Sequence, residues 1–173
     1  MNILSRLRLI KTFVFDMDGV LTDGGLLIDP NGQWLRRMDI KDGYALQLAI
    51  KSGYKVIVIS GSESEPVADR LRKLGVADIF MKVKNKENCL KEYIEKNNCK
   101  PGEILFMGDD IPDYTCMQMT DFACCPADAA VEIKQISSYI SPFRGGCGCV
   151  RDVIEKVLKL NNNWPLQTLI AAT

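Results

Sequence analysis

Histidine is absent from the 173 residues, which removes the usual general base of serine and cysteine hydrolases. Net charge is also missing, since 22 Lys and Arg balance 22 Asp and Glu, so no overall field draws nucleic acid or an anionic membrane. No apolar run is long enough to span a bilayer. The weakly basic N-terminus runs into Phe13, Val14 and Phe15 without a small-residue cleavage site, which argues against a secretory leader. Cysteine is present but unpatterned: Cys89, Cys99, Cys116, Cys124, Cys125, Cys147 and Cys149 form no paired Cys-x-x-Cys array. Reduced, partly buried thiols of a cytoplasmic protein are the simplest reading. No Gly-x-Gly-x-x-Gly follows the first strand and no Walker-type glycine loop occurs, which excludes the common dinucleotide and nucleotide folds.

What is there centres on residues 11–24. Phe13, Val14 and Phe15 fit a strand buried on both faces. The run ends in two carboxylates one residue apart, Asp16 and Asp18, followed at once by Gly19. Such a pair needs a divalent cation, a shared proton or a lysine to offset its repulsion. As turn residues, Asp and Gly also have a plain structural use, so the rest of the chain has to decide.

Length fits one domain over 1–173. Apolar strands at 54–59, 76–81, 104–107 and 121–125 alternate with helical stretches at 39–51, 63–74, 87–97, 114–119 and 127–135. A short strand at 139–140, a glycine-rich segment at 144–149, an amphipathic helix at 150–160 and a tail complete the chain. The alternation predicts an α/β fold with a doubly wound, mostly parallel sheet. Residues 24–38 read as an inserted hairpin around Pro30-Asn31-Gly32, too small to fold alone, whose apolar faces call for another subunit. The tail from Asn161 reads as mobile or held by a neighbour.

In a parallel sheet the strand ends converge on one edge. Asp16 and Asp18, then Ser60 with Gly61, then Lys86, then Asp109, Asp110 and Asp113 all follow strands. Carboxylates from separate strands suit Mg²⁺, while a hydroxyl, backbone N–H groups and a lysine suit phosphate oxygens. Taken singly, Ser60 is a helix cap, Lys86 a solvated edge residue and Asp109 a turn residue. Together they read as phosphoryl transfer.

The order Asp-x-Asp-Gly-Val-x-Thr, Ser-Gly, Lys, Gly-Asp-Asp-x-x-Asp resembles the haloacid dehalogenase superfamily of phosphohydrolases. Lys41-Asp42-Gly43 and the segment from Gly145 to Asp152 are similar to its small, capless branch acting on acidic sugar phosphates. The resemblance implies Asp16 as nucleophile and Asp18 as general acid and base. It also implies Mg²⁺ held by Asp16, the Asp18 backbone carbonyl and Asp109 with Asp110 close by, and phosphate held by Ser60, Gly61 and Lys86. Thr22 of the same motif is counted with the phosphate- and substrate-binding residues. It further implies a homotetramer in which one subunit covers another's site. Relatives often carry Arg where this chain has Ser62, so Arg144, Lys41, Arg36 and Arg37 become candidates to read a sugar carboxylate, the last three from an adjacent subunit, with ordinary surface charge as the plain alternative. An eight-carbon ulosonate and a nine-carbon nonulosonate phosphate both fit this machinery. A catalytically silent domain of the same fold and a receiver-like phospho-acceptor domain are the competing readings.

Overall fold

The structure, a computed structural model, describes residues 2–165. Helix α1 (Ile3–Leu9) is capped by Asn2, whose side chain accepts from the Ser5 N–H. Strand β1 (Thr12–Phe15) follows and is buried along its whole length. After the aspartate turn come β2 (Leu27–Ile28) and β3 (Trp34–Leu35), a two-stranded antiparallel hairpin. Then α2 (Ile40–Lys51), β4 (Lys55–Ile59), α3 (Glu65–Lys73), β5 (Asp78–Phe80) and α4 (Lys86–Lys96) alternate. The chain continues through β6 (Ile104–Met107), α5 (Tyr114–Gln118), β7 (Phe122–Cys125), α6 (Val131–Ile136), β8 (Tyr139–Ile140) and α7 (Cys149–Leu160).

Six strands form a parallel sheet in the order β5-β4-β1-β6-β7-β8. The doubly wound architecture is therefore present, with a small hairpin insertion and, among the described residues, no large cap. β1 lies at its centre because it can fill both layers. Phe13 and Phe15 face a core built with Leu46, Ala49, Leu71, Val153 and Val157, while Val14 faces Ile57, Leu90, Phe106 and Met117 on the other side. This puts the carboxyl ends of β4, β1 and β6 side by side at the point where the winding reverses, the usual site edge of such sheets.

Several boundaries differ from expectation. The helix expected from residue 127 begins at Val131, because 126–130 is spent in a turn held by the Ala130 N–H donating to the Asp109 carbonyl at 2.8 Å. The tail through Pro165 rests on its own chain: the Asn163 amide donates to the Tyr54 hydroxyl at 3.3 Å and Trp164 packs edge-on to Tyr44. The rest of the tail lies outside the described residues. The hairpin pairs only four residues, yet Leu27, Ile28 and Trp34 are 68, 62 and 58 % exposed.

Helix α7 begins at Gly148, a left-handed residue with no side chain to cap it. Asp42 of α2 supplies the cap from outside, accepting from the Arg151 N–H at 2.7 Å and the Gly148 N–H at 3.3 Å. Burial, at 2 % exposure, pushes its carboxyl up to about 6. The folded value lies above the unfolded one, so the folded state keeps the proton longer, and the stability Asp42 contributes is full below about pH 4 and lost as pH rises through about 6. Measured by urea midpoints, the stability of wild type minus that of Asp42→Asn is expected to fall by about 2 kcal/mol from pH 4 to pH 7. A difference constant with pH would contradict this account of the cap.

Candidate active site

The ladder carries β1 one residue past its end, with the Asp16 N–H donating to the Met107 carbonyl at 3.1 Å. The backbone then winds tightly through 17–21. Gly19 stands at φ +87°, and a Cβ there would overlap the Asp109 carboxylate, so only glycine lets the turn approach the end of β6. After β4, Ser60 is 1 % exposed and its Oγ accepts from the Ser62 N–H at 3.2 Å. After β5, Lys86 opens α4, where Asn85 caps the helix. The turn after β6 brings Asp109, Asp110 and Asp113, with Asp113 accepting from the Asp109 N–H at 3.2 Å.

These groups surround a cleft of about 310 Å³ lined by Asp16, Asp18, Ser60, Gly61, Ser62, Lys86, Asp109, Asp110 and Asp113. Larger depressions, of about 450 Å³ beside α7 and 470 Å³ beside α4, lie away from this edge, and the lysines Lys156 and Lys159 at the first are paired with Asp152 and Glu155. The strand-end cleft is the one that gathers the carboxylates, the lysine and the hydroxyls.

Lys86 Nζ sits 2.8 Å from Asp16 and 2.7 Å from Asp113. Burial would lower its pKa, but the Asp113 and Asp16 carboxylates outweigh that and raise it. One ammonium does not balance three carboxylates. Burial, then the Asp113 charge, pushes Asp16 up to about 6 against the opposing pull of Lys86. Burial, then Asp16 and Asp113, pushes Asp109 up to about 8. Asp18 behaves oppositely: burial would raise it, yet hydrogen bonds from Arg36 and Ser62 hold it below the usual carboxylate range.

Sequence reasoning did not anticipate the surroundings of Asp18. Arg36, just past β3, donates to both Asp18 oxygens at 2.7 and 3.2 Å, and Ser62 Oγ donates at 2.5 Å. The Arg36 side chain is only 2 % exposed. A residue considered for a sugar carboxylate, or for a neighbour's site, is thus committed to its own chain's carboxylate. The only signal was position, a cation directly after the hairpin in a chain whose Ser62 leaves room for it.

Other candidates are placed elsewhere. Thr22 is fully buried, its Oγ1 tied to Asp18 and to the Gly19 and Gly24 N–H groups at 3.4 Å, so it braces the turn from beneath. Lys41 lines the depression beside α7, and Arg144 pairs with Asp128 at 3.1 Å; neither lines the cleft. Asp110 lines the rim, with one oxygen accepting from the Ile111 N–H at 2.8 Å.

Asp16, Asp109 and Asp113 each offer an oxygen within 4.8 Å of the others. Asp113 is occupied by Lys86 and the Asp109 N–H, whereas Asp109 Oδ1 is buried without a hydrogen-bond partner. An orphaned carboxylate oxygen beside a second carboxylate, with excess negative charge, is a donor set that suits Mg²⁺. The comparisons agree with this geometry. Residues 72–148 match the model of the haloacid dehalogenase-like hydrolase family. The chain is 29 % identical over 157 residues to 3-deoxy-D-manno-octulosonate 8-phosphate phosphatase KdsC of Salmonella typhi, covering 91 % of this chain and 84 % of that one. The crystal structure of the corresponding phosphatase from Yersinia pestis superposes with a TM-score of 0.90 at 26 % identity, over 93 % of this chain and 87 % of that one.

The chain resembles the haloacid dehalogenase-like hydrolases over most of its length, with no large cap among the described residues. The Moraxella catarrhalis phosphatase, solved with magnesium, phosphate and KDO, superposes on it with a TM-score of 0.89 at 29 % identity over 92 % of each chain. Among the described residues no helix is long and apolar enough to cross a membrane.

Proposed function

We propose that this protein is a Mg²⁺-dependent phosphomonoesterase for an acidic sugar phosphate, with 3-deoxy-D-manno-octulosonate 8-phosphate as substrate. The observation that carries the reading is the Asp16 carboxylate held 2.8 Å from the Lys86 ammonium and beside the unpartnered Asp109 oxygen. Similarity to phosphatases named for that substrate supports the sugar.

Asp16 attacks phosphorus, and the bond from phosphorus to the sugar oxygen breaks as an aspartyl-phosphate forms. Asp18, held ionised here by Arg36 and Ser62, has to take up a proton as substrate enters and displaces the Arg36 pair; it passes that proton to the departing alkoxide, then takes one from the water that attacks the same phosphorus and releases Asp16 and inorganic phosphate. Ser60 Oγ, the Gly61 N–H and Lys86 hold the phosphoryl oxygens. Asp16, the Asp18 carbonyl and Asp109 would hold Mg²⁺, with Asp110 at the rim and Asp113 orienting Lys86. The bound ion neutralises charge on the transferring group and fixes its orientation. Arg36 and Ser62 set the position of Asp18. The exposed hairpin faces support self-association as a homotetramer whose neighbouring subunits close the open cleft, and the unpaired thiols support a cytoplasmic setting.

Phosphate release from a panel of sugar phosphates tests this. The eight-carbon ulosonate is expected to exceed neutral hexose phosphates by at least about 10²-fold in kcat/KM, with turnover lost on chelation and restored by Mg²⁺. Preference for the nine-carbon nonulosonate 9-phosphate would move the substrate assignment. Absence of Mg²⁺-dependent release from every ester would favour a catalytically silent domain.

A further inference from the structure

The glycine-rich segment 144–149 carries no group that reaches the cleft, yet it lies against the turn that bears Asp18. The Gly146 N–H donates to the Val20 carbonyl at 2.9 Å, and the buried Cys149 thiol donates to the same oxygen at 3.3 Å. A Cβ on Gly145 would overlap the Gly19 carbonyl, and one on Gly146 the backbone of Asp23. Two glycines are therefore needed for backbone to rest on backbone, over the Gly19–Val20 and Thr22–Asp23 peptides of the turn that carries Asp18.

Both ends of this strap are pinned by carboxylates from other elements. Asp42 takes the Gly148 and Arg151 N–H groups at the helix end. Asp128, in the turn before α6, takes the Gly145 N–H at 3.0 Å and the Arg144 guanidinium at 3.1 Å. The turn carrying Asp128 also holds the other half of the site, since the Ala130 N–H donates to the Asp109 carbonyl at 2.8 Å. The Ala127 N–H donates to the Phe143 carbonyl at 2.9 Å and closes the connection to the strap. A continuous path of hydrogen bonds thus runs from the backbone of Asp109 through 126–130 and the strap to the turn of Asp18.

We infer that Asp128 is a positioning residue of the active site. It fixes the strap over the 17–22 turn and so holds the Asp18 carboxylate where a leaving oxygen takes its proton. The inference rests on the phosphatase reading and adds a residue that touches neither substrate nor metal. A misplaced general acid slows departure of a poor leaving group far more than that of one leaving as a stable anion. A residue that merely supports the fold would slow both alike.

The test compares Asp128→Ala and Asp128→Asn with wild type and with Asp18→Asn, on an alkyl sugar phosphate and on p-nitrophenyl phosphate, with Mg²⁺. For Asp128→Ala the expected result is a fall in kcat/KM, which reports departure of the leaving group and not hydrolysis of the shared intermediate, of about 30-fold on the alkyl ester against about threefold on the aryl ester. Asp128→Asn keeps an acceptor for the Gly145 N–H and is expected to lose less, which keeps the test usable should the alanine variant not fold. Asp18→Asn sets the upper limit of the same leaving-group discrimination. Equal losses on both esters or unchanged kinetics would overturn the role of Asp128. Failure of the wild type on every ester would instead overturn the phosphatase reading.

Discussion

Asp16→Asn is expected to reduce phosphate release by at least about 10⁴-fold while leaving the protein folded. The substitution keeps shape and removes only the nucleophilic charge. Asp16 is 7 % exposed at the end of the central strand. Activity and stability should move in opposite directions. Burial and Asp113 push the Asp16 carboxyl up to about 6, so its charge costs folding free energy at neutral pH, and the pH dependence runs the same way, with stability greater below that value. Without Mg²⁺ at pH 7, the amide variant is expected to be about 1–2 kcal/mol more stable than wild type in urea titration. Residual turnover within tenfold of wild type would place the nucleophile elsewhere.

Lys86→Met should produce the opposite pairing, with both activity and stability lost. The ammonium bridges two buried carboxylates, and the three side chains are 7, 10 and 1 % exposed. Removing one partner of such a cluster leaves uncompensated charge and costs about 3–5 kcal/mol. Turnover should fall by about 10³-fold because phosphoryl charge loses its neutralising group. Adding Asp113→Asn to Lys86→Met removes one stranded carboxylate and is expected to recover about 1–3 kcal/mol of stability with no recovery of activity. Stability recovered together with turnover would mean that Lys86 acts only as a structural counter-ion.

The separate fates of these groups explain what the sequence made readable. Asp16, Ser60, Lys86 and Asp109 each interrupt or follow an apolar run, so period and polarity placed them at one edge before any contact was known. Mg²⁺ chemistry followed from the carboxylates and the lysine. The network around Asp18 was hidden because no local pattern encodes how the hairpin folds back, and only tertiary packing buries the Arg36 guanidinium against Asp18. Thr22 looked like a ligand because of its motif position, but hydrogen bonds to Gly19 and Gly24 turn it inward. Asp128 likewise sits in a stretch that propensity joins to the helix at Val131; its role depends on partners sixteen and seventeen residues away, Arg144 and Gly145.

The central claim is a covalent phosphoryl intermediate on Asp16, and it is tested most directly by trapping. Asp18→Asn with Mg²⁺ and p-nitrophenyl phosphate still permits departure of the aryl group but lacks the base that activates water for the second step. Rapid acid quenching followed by peptide mass analysis is predicted to show a burst of nitrophenolate of about one per active site, with the phosphoryl group on the peptide containing Asp16. A burst absent at every quench time, or a phosphoryl group carried by any other residue, would contradict the account.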